Sequence, residues 1–64
     1  MIAQYVTARR CLDGSYLIAV VDENYEAAKQ ITASTQLGAR AVAENWAELF
    51  DCPIDKRAER ALES

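Results

Sequence analysis

The dipeptide Asp13-Gly14 constrains the fold of this chain more than any other local feature, because it separates two segments rich in β-forming residues. Residues 2 to 11 and 16 to 22 concentrate valine, isoleucine, tyrosine and threonine. An Asp-Gly pair between two such segments is a strong signal for a hairpin with a two-residue loop. The sequence therefore predicts two antiparallel strands at the start of the chain.

A two-residue loop at Asp13-Gly14 also predicts which side chains share a face. In that register Ala8 lies opposite Ala19 and Val6 opposite Val21, and this face is the expected core side. The opposite face then carries tyrosine and arginine, which often anchor protein interfaces, beside β-branched neighbours. We predict that this outer face is either a dimer seam or a partner site, formed by Tyr5, Arg9, Tyr16, Ile18 and Val20.

The segment from residue 25 to residue 33 has two interpretations. Tyr25 to Gln30 contains good helix formers, whereas Ile31 and Thr32 are β-branched and favour a strand. We prefer a third short strand at about 29 to 33, because a lone hairpin is marginal and a third strand widens the sheet.

The clearest element is a helix from about residue 36 to residue 50. Ser34 or Thr35 can cap it, and its apolar residues recur at helical spacing along one face. We expect Trp46 on that face to pack on the Val6, Ala8, Ala19 and Val21 side of the hairpin. Pro53 ends the helix, and Asp55 can cap a short helical tail. Residues 1 to 64 are thus predicted to form one small α+β domain, in which an antiparallel sheet packs against one main C-terminal helix.

The sequence lacks the usual catalytic and metal-binding residues. It has no histidine, two cysteines and two glycines, so an ordinary zinc site, a general base and a phosphate-binding loop are not expected. Glu44 and Glu48 lie one helical turn apart, but an ion pair between Arg40 and Glu44 is the simpler interpretation. The charge of Asp51 should raise the pKa of Cys52 and so disfavour its reactive thiolate. We expect no enzyme, no cofactor and no metal.

Size and charge limit the possible partners. A chain of 64 residues buries little surface alone, so we predict a homodimer. A net charge of −3 with no long basic run argues against duplex DNA binding. A regulator that uses Arg9, Arg10, Lys29 and Arg40 to bind nucleic acid is the rival hypothesis. The apolar run Leu17 to Val21 is too short to span a membrane. The start of the chain has no secretory pattern and cysteines are few, so we expect a cytoplasmic protein.

Several segments together resemble the small domain of HicB-type antitoxins. They are Tyr5-Val6-Thr7-Ala8, Asp13-Gly14-Ser15-Tyr16, Ile31-Thr32 and the helix closed by Asp51-Cys52-Pro53. The resemblance covers about residues 3 to 54. It implies a β-β-β-α unit with a partial ribonuclease-H-like fold but without nuclease residues, which binds and blocks a small RNA-cleaving toxin and often dimerises.

Two departures from the family pattern limit what the resemblance implies. A Pro-Glu-x-Pro-Gly-like segment is replaced by Asp22-Glu23-Asn24-Tyr25-Glu26, and no DNA-binding module follows the helix in this sequence. Operator binding is therefore not implied. The sequence predicts a non-catalytic module that binds and inhibits a partner protein, with a small accessory regulator or nucleic-acid-associated protein as the alternative. The small size and alanine content also suit a phage gene.

Overall fold

A three-stranded antiparallel sheet and two helices follow one another along the chain. A computed structural model describes residues 4 to 63 of this fold, without the side chain of residue 63. The strands are β1 (Gln4–Arg10), β2 (Tyr16–Asp22) and β3 (Ala27–Ala33), in that order across the sheet, and the helices are α1 (Gln36–Leu49) and α2 (Lys56–Glu63). The predicted α+β class is confirmed. The first two residues of the predicted first strand, 2 and 3, lie outside the described residues.

The strand interpretation of the third segment is correct, and β3 is longer than predicted. Asp22 organises the turn that precedes it, because its side chain accepts hydrogen bonds from the backbone N–H groups of Asn24 at 2.9 Å and Glu26 at 3.0 Å. The chain therefore reverses within a few residues, and β3 pairs with β2 from Ala27 onward. Pairing with a neighbouring strand outweighs the helix propensity of residues 25 to 30.

The first hairpin has a three-residue loop, Leu12 to Gly14, rather than the predicted two-residue loop. The Cys11 N–H donates to the Ser15 carbonyl at 2.7 Å, and the Gly14 N–H donates to the Cys11 carbonyl at 3.1 Å. Gly14 has φ of 91°, which a residue with a side chain rarely adopts. Hydrogen bonds from the Ser15 hydroxyl and backbone N–H lower the pKa of Asp13 and hold the loop. The Asp-Gly signal was right for a hairpin and wrong for the loop length.

This loop shifts the register by one residue and exchanges the two faces of β2. Ala8 lies opposite Ile18 and Val6 opposite Val20. Because successive side chains of a strand alternate between faces, a one-residue slip moves a whole set of side chains. The predicted outer-face position of Tyr16, Ile18 and Val20 is therefore wrong. All three lie in the core, with Ile18 fully buried.

The core lies between the sheet and the two helices. Thr35 caps α1 by accepting a hydrogen bond from the Gly38 N–H at 3.0 Å. The buried stripe of α1 is Ala39, Ala43 and Trp46, and the two alanines let the helix axis approach the strands closely. Burial of Trp46 is confirmed, with 7% of its surface exposed. Its predicted contact face is wrong in part, because the core strand residues around it are Val6, Ala8, Tyr16, Ile18 and Val20.

The segment after α1 covers the outer edge of β1. The Val6 N–H donates to the Pro53 carbonyl and the Asp55 N–H donates to the Val6 carbonyl, both at 2.9 Å. The chain then enters α2, which is longer than the predicted helical turn and inserts Ala58 and Leu62 into the core. The β1 edge of the sheet is thus covered at Val6. Among the described residues, 4 to 63, no further strand pairs with β3, whose residues 27 to 32 are exposed.

Candidate functional site

The sheet surface that faces away from the helices is the main candidate site. It is built from alternate residues of all three strands, since side chains of one strand alternate between faces. Residues that lie opposite each other on neighbouring strands share this face. Thr7 lies opposite Ala19, and Ala19 lies opposite Gln30. We call it the open face; it is formed by Tyr5, Thr7, Arg9, Leu17, Ala19, Val21, Gln30 and Thr32.

A shallow groove of about 420 Å³ lies along this face. Its lining includes Ala19 and Val21, which are only 6% and 5% exposed although they point away from the helices. The longer side chains of β1 and β3 stand on either side of these small residues, among them Arg9 and Gln30. The result is an apolar floor between partly polar sides, which is suited to hold an extended segment of another molecule.

Two stacked tyrosines stand at one end of the groove. The rings of Tyr5 and Tyr25 lie 6.4 Å apart, with 13° between their planes. Tyr25 is 64% exposed and has φ of 62°, in the left-handed region that few bulky residues adopt. A hydrogen bond from its N–H to the Asp22 carbonyl, at 2.9 Å, holds it there. This arrangement presents a large amphipathic ring to solvent, as protein interfaces commonly do.

The charges around the groove are mixed. Arg9 and Arg57 lie along the β1 side together with Asp55, whereas the turn that carries Tyr25 contains Asp22, Glu23 and Glu26. A surface of both signs around an apolar floor differs from the continuous basic stripe that nucleic acid requires.

The four basic residues of the nucleic-acid hypothesis do not form one surface. The Lys29 ammonium lies 6.0 Å from the centre of the Trp46 ring, on the helix-covered side. Arg40, on α1, forms an ion pair with Glu44 at 3.5 Å, as predicted. Arg9 lies on the open face, whereas Arg10 pairs with the buried Tyr16 and lies on the helix-covered side. The structure therefore divides these cations between opposite sides of the molecule.

The five predicted interface residues are also divided. Tyr5 and Arg9 lie on the open face, and the other three lie beneath the helices, where a partner cannot reach them without unfolding the domain. Sequence reasoning missed Leu17, Ala19 and Val21 as residues of the open face. The signal that could have found them is the unbroken apolar run of β2, because a central strand is buried on both faces and does not alternate.

The groups considered for chemistry, Cys11, Cys52, Glu44 and Glu48, are not among the residues that line the groove. Cys11 and Cys52 are free thiols. Burial, and secondarily the charge of Asp51, raise the pKa of Cys52, which disfavours the nucleophilic thiolate. Within residues 4 to 63, no three side chains of the metal-ligating types come together as an ion site.

Comparison with known proteins assigns no family. No protein-family model, curated protein or solved structure matches the chain. The similarity to HicB-type antitoxins therefore stays a prediction. The order of three strands followed by α1 agrees with the unit that it implies, but this agreement concerns the fold. The described part of the chain also contains no helix that is long and apolar enough to cross a membrane.

Proposed function

We propose that this chain is a non-catalytic protein-binding module that holds a segment of a partner protein in the groove of the open face. The observation that supports the proposal most is the groove itself, with its apolar floor at Ala19 and Val21 and its exposed tyrosine stack. A single layer of strands with helices on one side leaves this apolar surface without a covering element among residues 4 to 63.

A protein suits this surface better than a nucleic acid. Small apolar residues on the floor favour contacts with aliphatic or backbone groups, and Tyr25 offers both a ring face and a hydroxyl. Within residues 4 to 63, Arg9 and Arg57 are the basic residues that line the groove, and the chain as a whole carries a net charge of −3. Phosphate neutralisation, which dominates nucleic-acid affinity, would therefore be weak.

The kind of partner follows from the resemblance to HicB-type antitoxins. It implies a small RNA-cleaving protein, which this chain would inhibit by occupying part of its surface. The proposal includes a homodimer and a reducing compartment such as the cytoplasm. The free thiols of Cys11 and Cys52 are consistent with that compartment.

Site-specific photocrosslinking in cells of the source organism tests the proposal directly. A photoreactive amino acid replaces Leu17, in the groove, or Leu37, which is 80% exposed on α1. Position 17 should give a discrete protein adduct that survives nuclease treatment, and position 37 should not. The proposal fails if position 17 gives no adduct, or gives one that nuclease destroys.

Matched substitutions then test whether the captured protein binds in the groove. Leu17→Glu introduces a charge beside the apolar floor, whereas Leu37→Glu makes the same change on the opposite side of the molecule. Loss of an interface anchor weakens binding by about 30-fold or more. We expect that loss for Leu17→Glu only, measured by calorimetric titration of the captured protein. Equal binding by both variants would contradict the proposal.

A further inference from the structure

We propose that the free edge of β3 is a self-association site, at which two copies of the chain join edge to edge as antiparallel strands centred on Ile31. The product is one six-stranded sheet with the α1 helices of both copies on the same side. This inference rests on the homodimer of the proposed function and gives it an interface. The interface uses backbone groups at the edge of the sheet, whereas the groove is formed by side chains, including that of Gln30. Self-association requires backbone groups that point outward from β3, a self-complementary set of side chains, and apolar surface that the second copy covers.

The direction of the backbone groups follows from the β1 edge. In an antiparallel pair, alternate residues direct their N–H and C=O groups to the same neighbour. Val6 directs both groups away from β2, to Asp55 and Pro53. Its opposite residue Val20 must therefore bond to the other neighbour, Lys29 of β3. The next residue of β3, Gln30, directs its groups outward.

The same alternation leaves Thr32 directed outward, so the regular part of the edge offers two N–H donors and two carbonyl acceptors. The register irregularity opposite Val20 and Val21 lies before Lys29 and does not disturb residues 29 to 33. If Gln30 pairs with Thr32 of the second copy, and Thr32 with its Gln30, all four outward groups are satisfied. Ile31 then lies on the two-fold axis, opposite its own copy.

The side chains of β3 suit this self-pairing. Ile31 is 46% exposed, and non-hydrogen-bonded pairs such as Ile31 with its copy bring side chains closest together. Lys29 is the only charged residue of β3, and in this register it faces the small Ala33 of the second copy. No like charges meet. Natural free edges usually carry central charges, prolines or bulges that prevent such pairing. In β3 the only such features are Lys29 and the irregularity before it, so residues 30 to 33 stay available for pairing.

The helix layer adds apolar surface beside the same edge. Gly38 of α1 lies next to Ala33, since a Cβ atom at Gly38 would be 3.9 Å from the Ala33 Cβ atom. Val42 and Leu49 follow Gly38 along one stripe of the helix at i+4 and i+11. Leu49 is 67% exposed. Edge-to-edge association directs this stripe and Ile31 toward the second copy.

Charges placed on the two-fold axis give a test that is specific for this register. Ile31→Glu and Ile31→Lys each bring like charges face to face and should weaken self-association at least about tenfold. An equimolar mixture of the two variants should restore a dimer, because a carboxylate of one copy would then face an ammonium group of the other across the axis. Sedimentation equilibrium measures the masses, and native mass spectrometry separates the mixed dimer from the two parents.

Gln30→Pro provides a second variant that tests the backbone bonds. Proline removes an N–H that points outward and leaves the bonds between β2 and β3 intact. We expect a folded monomer, with native far-ultraviolet circular dichroism. The matched change Ile31→Pro removes an inward N–H and should unfold the sheet.

Several outcomes would overturn the inference. They are a wild-type monomer at micromolar concentration, a dimer that Gln30→Pro does not weaken, and no mixed dimer from the two charged variants. A photocrosslink between two copies through position 17 would place the second copy on the open face instead. The first and third results would remove the homodimer from the proposed function but not partner capture in the groove, because Ile31 pairs with Ile18 on the helix-covered face. Gln30 also lines the groove, so Gln30→Pro is judged by self-association only.

Discussion

The two faces of the sheet bury their central residues in different ways. On the helix-covered face, Val6 and Ile18 are fully buried beneath α1 and α2. On the open face, Ala19 and Val21 are nearly as inaccessible, but they line an open groove with neighbouring side chains of the sheet and with Tyr25, Asp55 and Arg57. Low exposure alone therefore does not identify the hydrophobic core. The free energy of folding that is lost on replacing a residue depends on whether another layer of structure packs against it.

This difference has an energetic consequence. Elements on the helix-covered face are fixed by many simultaneous contacts, so a lost side chain leaves a cavity and an inserted charge has no access to water. Side chains on the open face can turn toward solvent, and changes there cost much less folding free energy. Substitutions on the helix-covered face should therefore change the free energy of unfolding, and substitutions on the open face should change partner binding.

The largest expected effect comes from introducing a carboxylate at adjacent positions of β2. Ile18→Glu buries a charge in the core and should cost more than about 4 kcal/mol, enough to unfold a large fraction of so small a domain. Leu17→Glu, on the open face, should remain folded. Circular dichroism and urea unfolding measure both. If Ile18→Glu stays folded and Leu17→Glu unfolds, Leu17 lies in the core and Ile18 lies on the open face, which contradicts the assignment.

Truncation of one aromatic residue on each side gives the next largest difference. Trp46→Ala removes a buried ring and should lower the free energy of unfolding by about 3 to 5 kcal/mol. Tyr25→Ala removes an exposed ring from the open side and should cost less than about 1 kcal/mol. Urea unfolding followed by far-ultraviolet circular dichroism measures both variants. Tryptophan fluorescence would not, because Trp46 is the only tryptophan and Trp46→Ala removes it. Similar losses for the two variants would contradict the contrast between the faces.

A difference smaller than that between Trp46→Ala and Tyr25→Ala is expected between two variants of the loop that sets the register. Gly14→Ala places a side chain at φ of 91° and should cost about 1 to 2 kcal/mol. No atom lies within 4 Å of a Cβ at this position, so the cost is one of backbone conformation. Gly14→Asn should lose less stability, because asparagine tolerates positive φ better than alanine. Thermal unfolding compares the two variants, and equal losses would contradict a backbone origin.

Much of the fold could be predicted from local residues. The helix α1 follows from its apolar periodicity and the cap at Thr35, and the preference for a third strand follows from Ile31 and Thr32. The candidate site was predicted only in part. Tyr5 and Arg9 lie on the open face as expected, but the run from Leu17 to Val21 is apolar at every position, so no alternation shows which of its residues face the helices.

The sequence predicted the first two strands, α1 and the order of the elements, because hydrophobic periodicity, capping and turn residues act over a few neighbours. It left residues 25 to 33 open between helix and strand, and it predicted only a short helical turn where α2 lies. The structure revealed the loop length at Gly14, which hydrogen bonds among residues 11 to 15 hold, and with it the faces of β2. It also decided that Pro53 and Asp55 cover the β1 edge at Val6 while β3 stays free. The loop is local, but an Asp-Gly pair is compatible with hairpin loops of more than one length. The covering of the β1 edge depends on contacts between segments far apart in the chain, such as Val6 with Pro53. Local sequence preferences do not contain the free energies of those contacts.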